Sequence, residues 1–289
     1  MPPLFHLEYY DPPAELSQHV LALFHFTWDG TEISDRHPGA LGQLVLFPYG
    51  TGELRISDRV DRVEGEAHLL AGFETAAPFS IDGPWHAIGA SLSPLGWAAL
   101  TQSPANENFN RFIPAGELLG RQIDDFARET NDLYRSGNIT GRQVCDALSA
   151  WIAPRLASVP SEHQHLIGRT FAWLGSSLSP DVELLFGQLD YSRRQAERLI
   201  TRYFGLTPMA LSRKYRAVRA ASLLAQPELT DEGEAEIATA FYDQPHMIRE
   251  IRRYCGYTPT RLGGPEEPLF QVMLRMKNLE RLKEFRRIG

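Results

Sequence analysis

Two stretches of this chain end in the same way, 51 residues apart: Tyr203-Phe204-Gly205-Leu206-Thr207-Pro208 and Tyr254-Cys255-Gly256-Tyr257-Thr258-Pro259. In each, a pattern of helical period runs into a glycine that can take the left-handed stop, and Thr-Pro then opens another helix. A chain that must stop and restart a helix at both places is predicted to build the same helix-turn-helix unit twice. The starts agree with the stops. Ser192 followed by Gln195 is a capping box, in which each residue satisfies the other's backbone amide, worth about 1 kcal/mol. Asp243 can cap the second helix, and Pro245 is tolerated in its first turn, where the missing N–H costs nothing. Ahead of the first, VELLFGQL after Asp181 supplies a short apolar-faced helix, and Asp190-Tyr191 the turn.

At 100° per residue, Ala196, Leu199, Ile200 and Tyr203 fall within one arc, and Arg194, Glu197, Arg198 and Thr201 on the opposite side. In the second helix Met247, Ile251 and Tyr254 form the inward stripe, with His246, Arg249 and Arg253 opposite. A guanidinium near a helix start suits bidentate contact with guanine O6 and N7, and Glu197 can accept from cytosine N4. Either helix alone would read as a surface helix whose Arg and Glu pair with each other. The duplication favours a reading role.

The formal net charge of −7 hides blocks of opposite sign. Residues 1–180 carry a net of −10, whereas 192–219 hold eight basic residues against Glu197 alone. Residues 220–248 contain six acids and no Lys or Arg, and 249–262 return to +3. A basic block over one candidate recognition helix, within an acidic chain, is a local electrostatic footprint for phosphates.

At 289 residues, 43% of them hydrophobic, the chain can bury more than one core. Its first 93 residues alternate short apolar, aromatic-rich runs (Leu21–Trp28, Gln43–Tyr49, Glu53–Ile56, His68–Phe73, His86–Leu92) with Gly, Pro and Asp turns. This predicts an antiparallel sandwich or barrel. From about Leu95 the period moves toward 3.6, and Gly120–Arg135, Thr140–Leu156 and Ser161–Leu174 read as amphipathic helices. LGSSLSP marks a break before the last helical module. Pro265-Glu266-Glu267-Pro268 is another, followed by a terminal helix over Leu269–Ile288.

Over Ser161 to Leu262 the sequence resembles the DNA-binding domain of AraC/XylS-type transcription regulators, through YSRRQAERLITRYFGLTPMALSRKYR and FYDQPHMIREIRRYCGYTPTRL. The resemblance implies two helix-turn-helix units joined by a long helix, Pro208 to Ala225, about 27 Å long at 1.5 Å per residue. Two helices held that way could enter successive major-groove segments about 34 Å apart. Carried over by position, the family's base-facing sites fall on Arg194, Glu197 and Arg198, and on Gln244, His246 and Arg249. Gln244 rests on the resemblance alone. The chain departs from the family where Ala240 replaces a usual Gly and Glu236 a small residue. A carboxylate on a packed face is costly unless it reaches solvent. The first helix of the second unit is therefore expected to be displaced, short or loosely docked, and the second unit to be the weaker.

Residues from Leu7 to Leu119 resemble the cupin-like domains attached to some of these regulators, through PPAELSQHV running into LALFHFTW, GQLVLFPY and WHAIGASLSPLGW. The expected fold is thus α+β and multidomain. A cupin-like antiparallel barrel for sensing or dimerisation occupies 1–118, a helical connector 119–160, the all-α double helix-turn-helix domain 161–262, and a helical tail 263–289. Small barrels can hold a ligand. Phe24, Phe26, Trp28, Phe47, Phe73, Phe79 and Trp85 are core by default, and some could line a pocket.

Cys145 and Cys255 stand in no metal-type spacing and indicate no disulfide framework. His25, His37, His68 and His86 raise a metal site, but no His-x-His followed by Glu occurs at metalloenzyme-cupin spacing, so no metal and no cofactor are expected. There is no Gly-x-Ser-x-Gly, His-Glu-x-x-His, P-loop or dinucleotide fingerprint, and no catalytic residue is identified. No apolar run approaches the about 20 residues of a membrane span, and MPPLFHLEYYDPP lacks the regions of a signal peptide. The expectation is a cytoplasmic, homodimeric transcription regulator. Its partners are double-stranded DNA, a small-molecule effector and, as a candidate, RNA polymerase, with no membrane. The alternative is a cupin-type enzyme or small-molecule binder whose helical domain is an interaction module.

Overall fold

Turn residues and β-rich runs divide the first part of the chain into eight strands. They are β1 (Phe5–Tyr10), β2 (Val20–Trp28), β3 (Glu32–His37), β4 (Gly42–Ile56), β5 (Arg59–Val63), β6 (Ala67–Leu70), β7 (Ala77–Leu92) and β8 (Phe112–Pro114). The structure is a computed structural model and describes residues 5–63, 65–226 and 228–262, so the expected tail helix lies outside the described residues. Two compact units result. The first comprises the chain up to Ser34, Leu41–Gly72 and Pro78–Val159, and the second comprises Asp35–Ala40, Phe73–Ala77 and the chain from Pro160.

In the first unit the strands form one sheet in the order β1-β2-β7-β4-β6-β8, with β3 added on β7 and β5 on β4. The pairings β1·β2, β2·β7, β4·β7, β4·β6, β4·β5 and β6·β8 are antiparallel. This corrects the expected barrel. Among the described residues nothing pairs β1 with β8, so the sheet stays open. Closure requires both edges to meet in a fixed stagger. Here helices cover the apolar face that closure would have buried.

Those helices are α1 (Pro94–Thr101), α2 (Gly116–Leu119), α3 (Arg121–Arg135) and α4 (Gly141–Ile152). Ile123 and Ala127 of α3 and Val144, Leu148 and Trp151 of α4 share one core with Leu44, Leu46, Leu69, Ile88 and Leu92 of the sheet. α4 begins at a Thr140–Gln143 capping box. It ends before the expected Leu156 because Pro154 cannot continue the hydrogen-bond ladder, and the chain tightens to a 3-10 turn over Ala153–Arg155.

The second unit contains α5 (Ser161–Ser176), α6 (Val182–Gly187), α7 (Arg193–Phe204), α8 (Pro208–Leu224), α9 (Asp231–Ala240), α10 (Gln244–Cys255) and α11 (Pro259–Leu262). α8 buries small residues, Ala217, Ala220 and Ala221 among them, which lets neighbouring helices approach it closely. The expectation of a displaced or loosely docked helix ahead of α10 is corrected too. α9 is ten residues long, is capped by Thr230, and places Ile237 and Ala240 in the core shared with α8 and α10. Glu236 is accommodated because its carboxylate meets the Arg219 guanidinium of α8 at 3.6 Å. Among the described residues no helix is long and apolar enough to cross a membrane.

Candidate nucleic-acid interface

α6 and α7 form the first helix-turn-helix pair. Asp181 caps α6 by accepting from the Glu183 amide at 2.9 Å. Ser192 then starts α7: its Oγ accepts from the Gln195 amide at 3.4 Å, and Gln195 Oε1 accepts from the Ser192 amide at 3.2 Å. The apolar face of α7 buries Ala196, Leu199, Ile200, Tyr203 and Phe204. Phe204 packs on Phe171 of α5, with ring centroids 5.4 Å apart, and the Tyr203 hydroxyl meets His163 Nδ1 at 2.7 Å. These contacts fix the rotation of α7 and leave its opposite side open.

On that side Arg194 and Arg198 are exposed, and among the described residues neither guanidinium has a hydrogen-bond or ion-pair partner. Glu197 is partly committed, 3.8 Å from Arg193 Nε, and Arg193 itself reaches Glu183 of α6 at 2.8 Å. The expected pairing of Arg with Glu on one surface helix therefore uses Arg193 and spares Arg194 and Arg198.

α9 and α10 form the second helix-turn-helix pair. Asp243 Oδ1 accepts from the His246 amide at 2.7 Å and caps α10, which buries Ile251, Tyr254 and Cys255. Gly205 and Gly256 stop α7 and α10 at φ of 80° and 81°, a conformation glycine adopts without steric cost. Their amides return to Thr201 O and Arg252 O, both at 2.9 Å. The two stops are equivalent in geometry as well as in sequence.

The predicted contact residues of α10 separate. Gln244 and Arg249 are exposed and, among the described residues, unpartnered. His246 departs from the helical-wheel expectation: its ring is half-buried, with Nε2 3.3 Å from Glu250 Oε1 and the Phe241 ring 6.0 Å away, edge-on. Arg253 is ion-paired with Glu74 at 3.0 Å. One exposed residue was missed by sequence reasoning. Tyr242, just before the α10 cap, is 92% exposed, and Tyr191 holds the same place before the α7 cap. The 51-residue offset that revealed the stops would have revealed this pair.

The four histidines do not converge. His37 Nδ1 accepts from the Gly39 amide at 3.0 Å, and burial, with Lys214 nearby, pushes its pKa down to about 4. His68 stacks on Phe112 at 4.6 Å, and burial likewise pushes it down to about 4. His25 and His86 meet only through Tyr134, and among the described residues no group of His, Cys, Asp or Glu is arranged to hold a metal ion.

Comparison with known proteins bears on this interface. The family described as a helix-turn-helix domain matches residues 185–263. The HTH-type transcriptional regulator GbdR of Pseudomonas aeruginosa is 24% identical over 224 residues, 73% of this chain; the chain spans 57% of that relative's length. Among solved structures, ToxT from Vibrio cholerae O395 aligns over 94% of this chain and 98% of its own, at 11% identity and a TM-score of 0.46. A second structure of that protein, bound to (E)-4-(8-methylnaphthalen-1-yl)but-3-enoic acid, aligns over 93% and 99% at the same identity and TM-score. The AraC-like transcriptional activator CuxR aligns over 82% of this chain and 92% of its own, at 16% identity and a TM-score of 0.28.

Proposed function

We propose that the chain, whose residues 185–263 match a helix-turn-helix domain, is a sequence-specific DNA-binding regulator of transcription of the AraC type that reads one DNA face with α7 and α10. The observation that carries this reading is the open face of α7: two guanidiniums, unpartnered among the described residues, beside a rigid capping box on a helix whose other side is packed. Arg194 and Arg198 address guanine edges, and Glu197 a cytosine amine once it leaves Arg193. Gln244 and Arg249 read from α10, and His246 contributes less, because its imidazole is held by Glu250. The helix-turn-helix match over residues 185–263 supports a regulator over the enzyme alternative.

The N-terminal unit regulates this binding, through a small molecule or through dimerisation. An open cavity of about 790 Å³ in this unit is lined by Tyr49, Thr51, Glu53, Arg62, Asp82 and Arg135, among others. That volume is within the range of small-molecule sites, roughly 300–1,000 Å³. Its lining is more polar than the aromatic-rich sequence suggests: of the seven aromatics singled out, Phe47 alone is in the wall, and Phe24, Phe26, Trp28, Phe73 and Phe79 are buried.

Selection of duplexes from a randomised pool by the full chain tests the reading. Enrichment of a motif with two separated half-sites is expected, with one half-site lost when Arg194 and Arg198 are both replaced by Ala. Recovery of unenriched pools by the native chain would contradict it.

A further inference from the structure

Strand register in the first unit brings an unusual set of side chains together. Glu8 of β1 lies opposite His25 of β2, His25 lies opposite Ile88 of β7, and Tyr49 of β4 lies opposite His86 of β7. Residues directly opposite share a face, and His86 is two residues from Ile88, so Glu8, His25, His86 and Tyr49 line one face across four adjacent strands. Tyr134, in the last turn of α3, lowers its hydroxyl onto that row. His25 Nε2 lies 2.8 Å and His86 Nδ1 2.9 Å from the Tyr134 oxygen. Beyond them, His86 Nε2 lies 3.1 Å from Asp29 Oδ1, and His25 Nδ1 lies 3.6 Å from Glu8 Oε2.

Counting hydrogens explains these distances. The chain Glu8···His25···Tyr134···His86···Asp29 has four links, each needing one proton. Two neutral imidazoles and one phenol supply three. Burial pushes the Tyr134 hydroxyl up to about 12, so it keeps its hydrogen. If His25 Nε2–H donates to Tyr134, Tyr134 to His86 Nδ1, and His86 Nε2–H to Asp29, the three short links are filled in one direction. The fourth then sets a bare His25 Nδ1 lone pair against a carboxylate oxygen, and it is the one link longer than a hydrogen bond.

We propose that this cluster is a one-proton switch: a single proton taken from solvent fills the fourth link and ties β1, through His25, Tyr134 and His86, to the end of β2 at Asp29. Two arrangements hold that proton equally. Either His25 carries hydrogens on both nitrogens, or His86 does and the Tyr134 hydroxyl turns to donate to His25. The two rings therefore share the one added proton through the Tyr134 hydroxyl.

The surroundings set the side on which uptake occurs. Facing His25 from β1 are Glu8 and Tyr10, whose hydroxyl donates to Glu8 Oε2 at 2.7 Å, with exposed His6 3.5 Å from Glu8 Oε1. From α4, Gly141 packs so closely that any side chain there would strike His25 Nδ1, Cys145 is buried, and Arg142 stands over the Tyr10 ring while paired with Asp146 at 3.1 Å. From α3, Arg135 pairs with Asp132 and approaches Glu66. Tyr49 meets the His86 ring edge-on at 4.8 Å. Burial lowers the His25 pKa and the Glu8 carboxylate opposes that, leaving it below the ordinary imidazole value. Uptake thus falls on the acid side of that value. Tyr49 and Arg135 also line the cavity, so the switch lies directly behind its wall.

Nitrogen-resolved NMR of the full chain, with labelled histidine, tests this. In the native protein at neutral pH, His25 Nδ1 should give the signal of an unprotonated, pyridine-type nitrogen. On acidification, His25 and His86 should shift together in one step. In Tyr134→Phe the chain is cut, each neutral ring can donate to its own carboxylate, and His25 Nδ1 should already be protonated at neutral pH, with the rings titrating independently. Glu8→Gln, which keeps the Tyr134 bridge, should move the joint step to lower pH and covers the case of a poorly folded Phe variant. A His25 Nδ1 already protonated in the native protein at neutral pH, or independent titration of the two rings there, would overturn the proposal.

Discussion

Arg216 of α8 grips Glu250 of α10: its Nη2 lies 2.8 and 2.7 Å from the two carboxylate oxygens and its Nε 3.0 Å from one of them. The pair is largely buried, with side-chain exposures of 13% and 12%. It fixes α10 to α8, the helix that follows α7, and His246 lies against the same carboxylate. Removing one partner of a buried pair leaves an uncompensated charge, at a cost of about 3–5 kcal/mol. Glu250→Ala should therefore lower the chemical-denaturation midpoint by a corresponding amount. A change below about 1 kcal/mol, the ceiling for exposed pairs, would show that the pair is solvated.

Arg194 and Arg198 offer the opposite case. Both are exposed, and among the described residues neither has a hydrogen-bond or ion-pair partner, so Arg194→Ala and Arg198→Ala should leave stability nearly unchanged. Each should weaken specific DNA binding by about 1–3 kcal/mol and relax preference at one base. Fluorescence anisotropy with a selected duplex and single-base variants reads both effects. Losses spread evenly over all sequences would assign these arginines to phosphates instead.

The two helix-turn-helix pairs should contribute unequally. Replacing His246 and Arg249 together by Ala should cost less specificity than replacing Arg194 and Arg198, because the His246 ring is already held by Glu250 and Phe241. Equal losses in a side-by-side titration would mean that His246 swings free on DNA.

Lys214, on α8, is buried, and its ammonium donates to Gly39 O at 2.7 Å and to Phe73 O. Burial pushes its pKa down from an ordinary value of 10.5 to about 7. Between those values the unfolded chain binds the extra proton, so stability contributed by this group rises as pH climbs from about 7 toward 10.5. The urea midpoint of the native protein should increase between pH 7 and pH 9 relative to that of Lys214→Met. A difference that stays flat, or falls, across that window contradicts the lowered pKa.

The helical half was legible because its signals are local. The Ser192 box, the Asp243 cap and the Gly205 and Gly256 stops each lie within a few residues of the atoms they satisfy, and sequence spacing specifies them directly. Glu236 misled, because what accommodates it is Arg219, seventeen positions earlier on another helix. The half-buried ring of His246 was not legible either, since a helical wheel gives a direction but not a rotamer. In the sheet, strand runs could be read, but openness depends on whether β1 and β8 meet, a pairing across most of the unit that no local pattern encodes. The His25–Tyr134–His86 cluster was hidden for the same reason: it exists only through register between strands and the final turn of α3.

Hydroxyl-radical footprinting of the full chain on a selected duplex tests the central claim most directly. Two protected patches on one DNA face, about one helical turn (10–10.5 base pairs) apart, are predicted, and Arg194→Ala with Arg198→Ala should erase one while leaving the other. A single patch, or two that both survive the double substitution, would contradict a chain that reads DNA with α7 and α10.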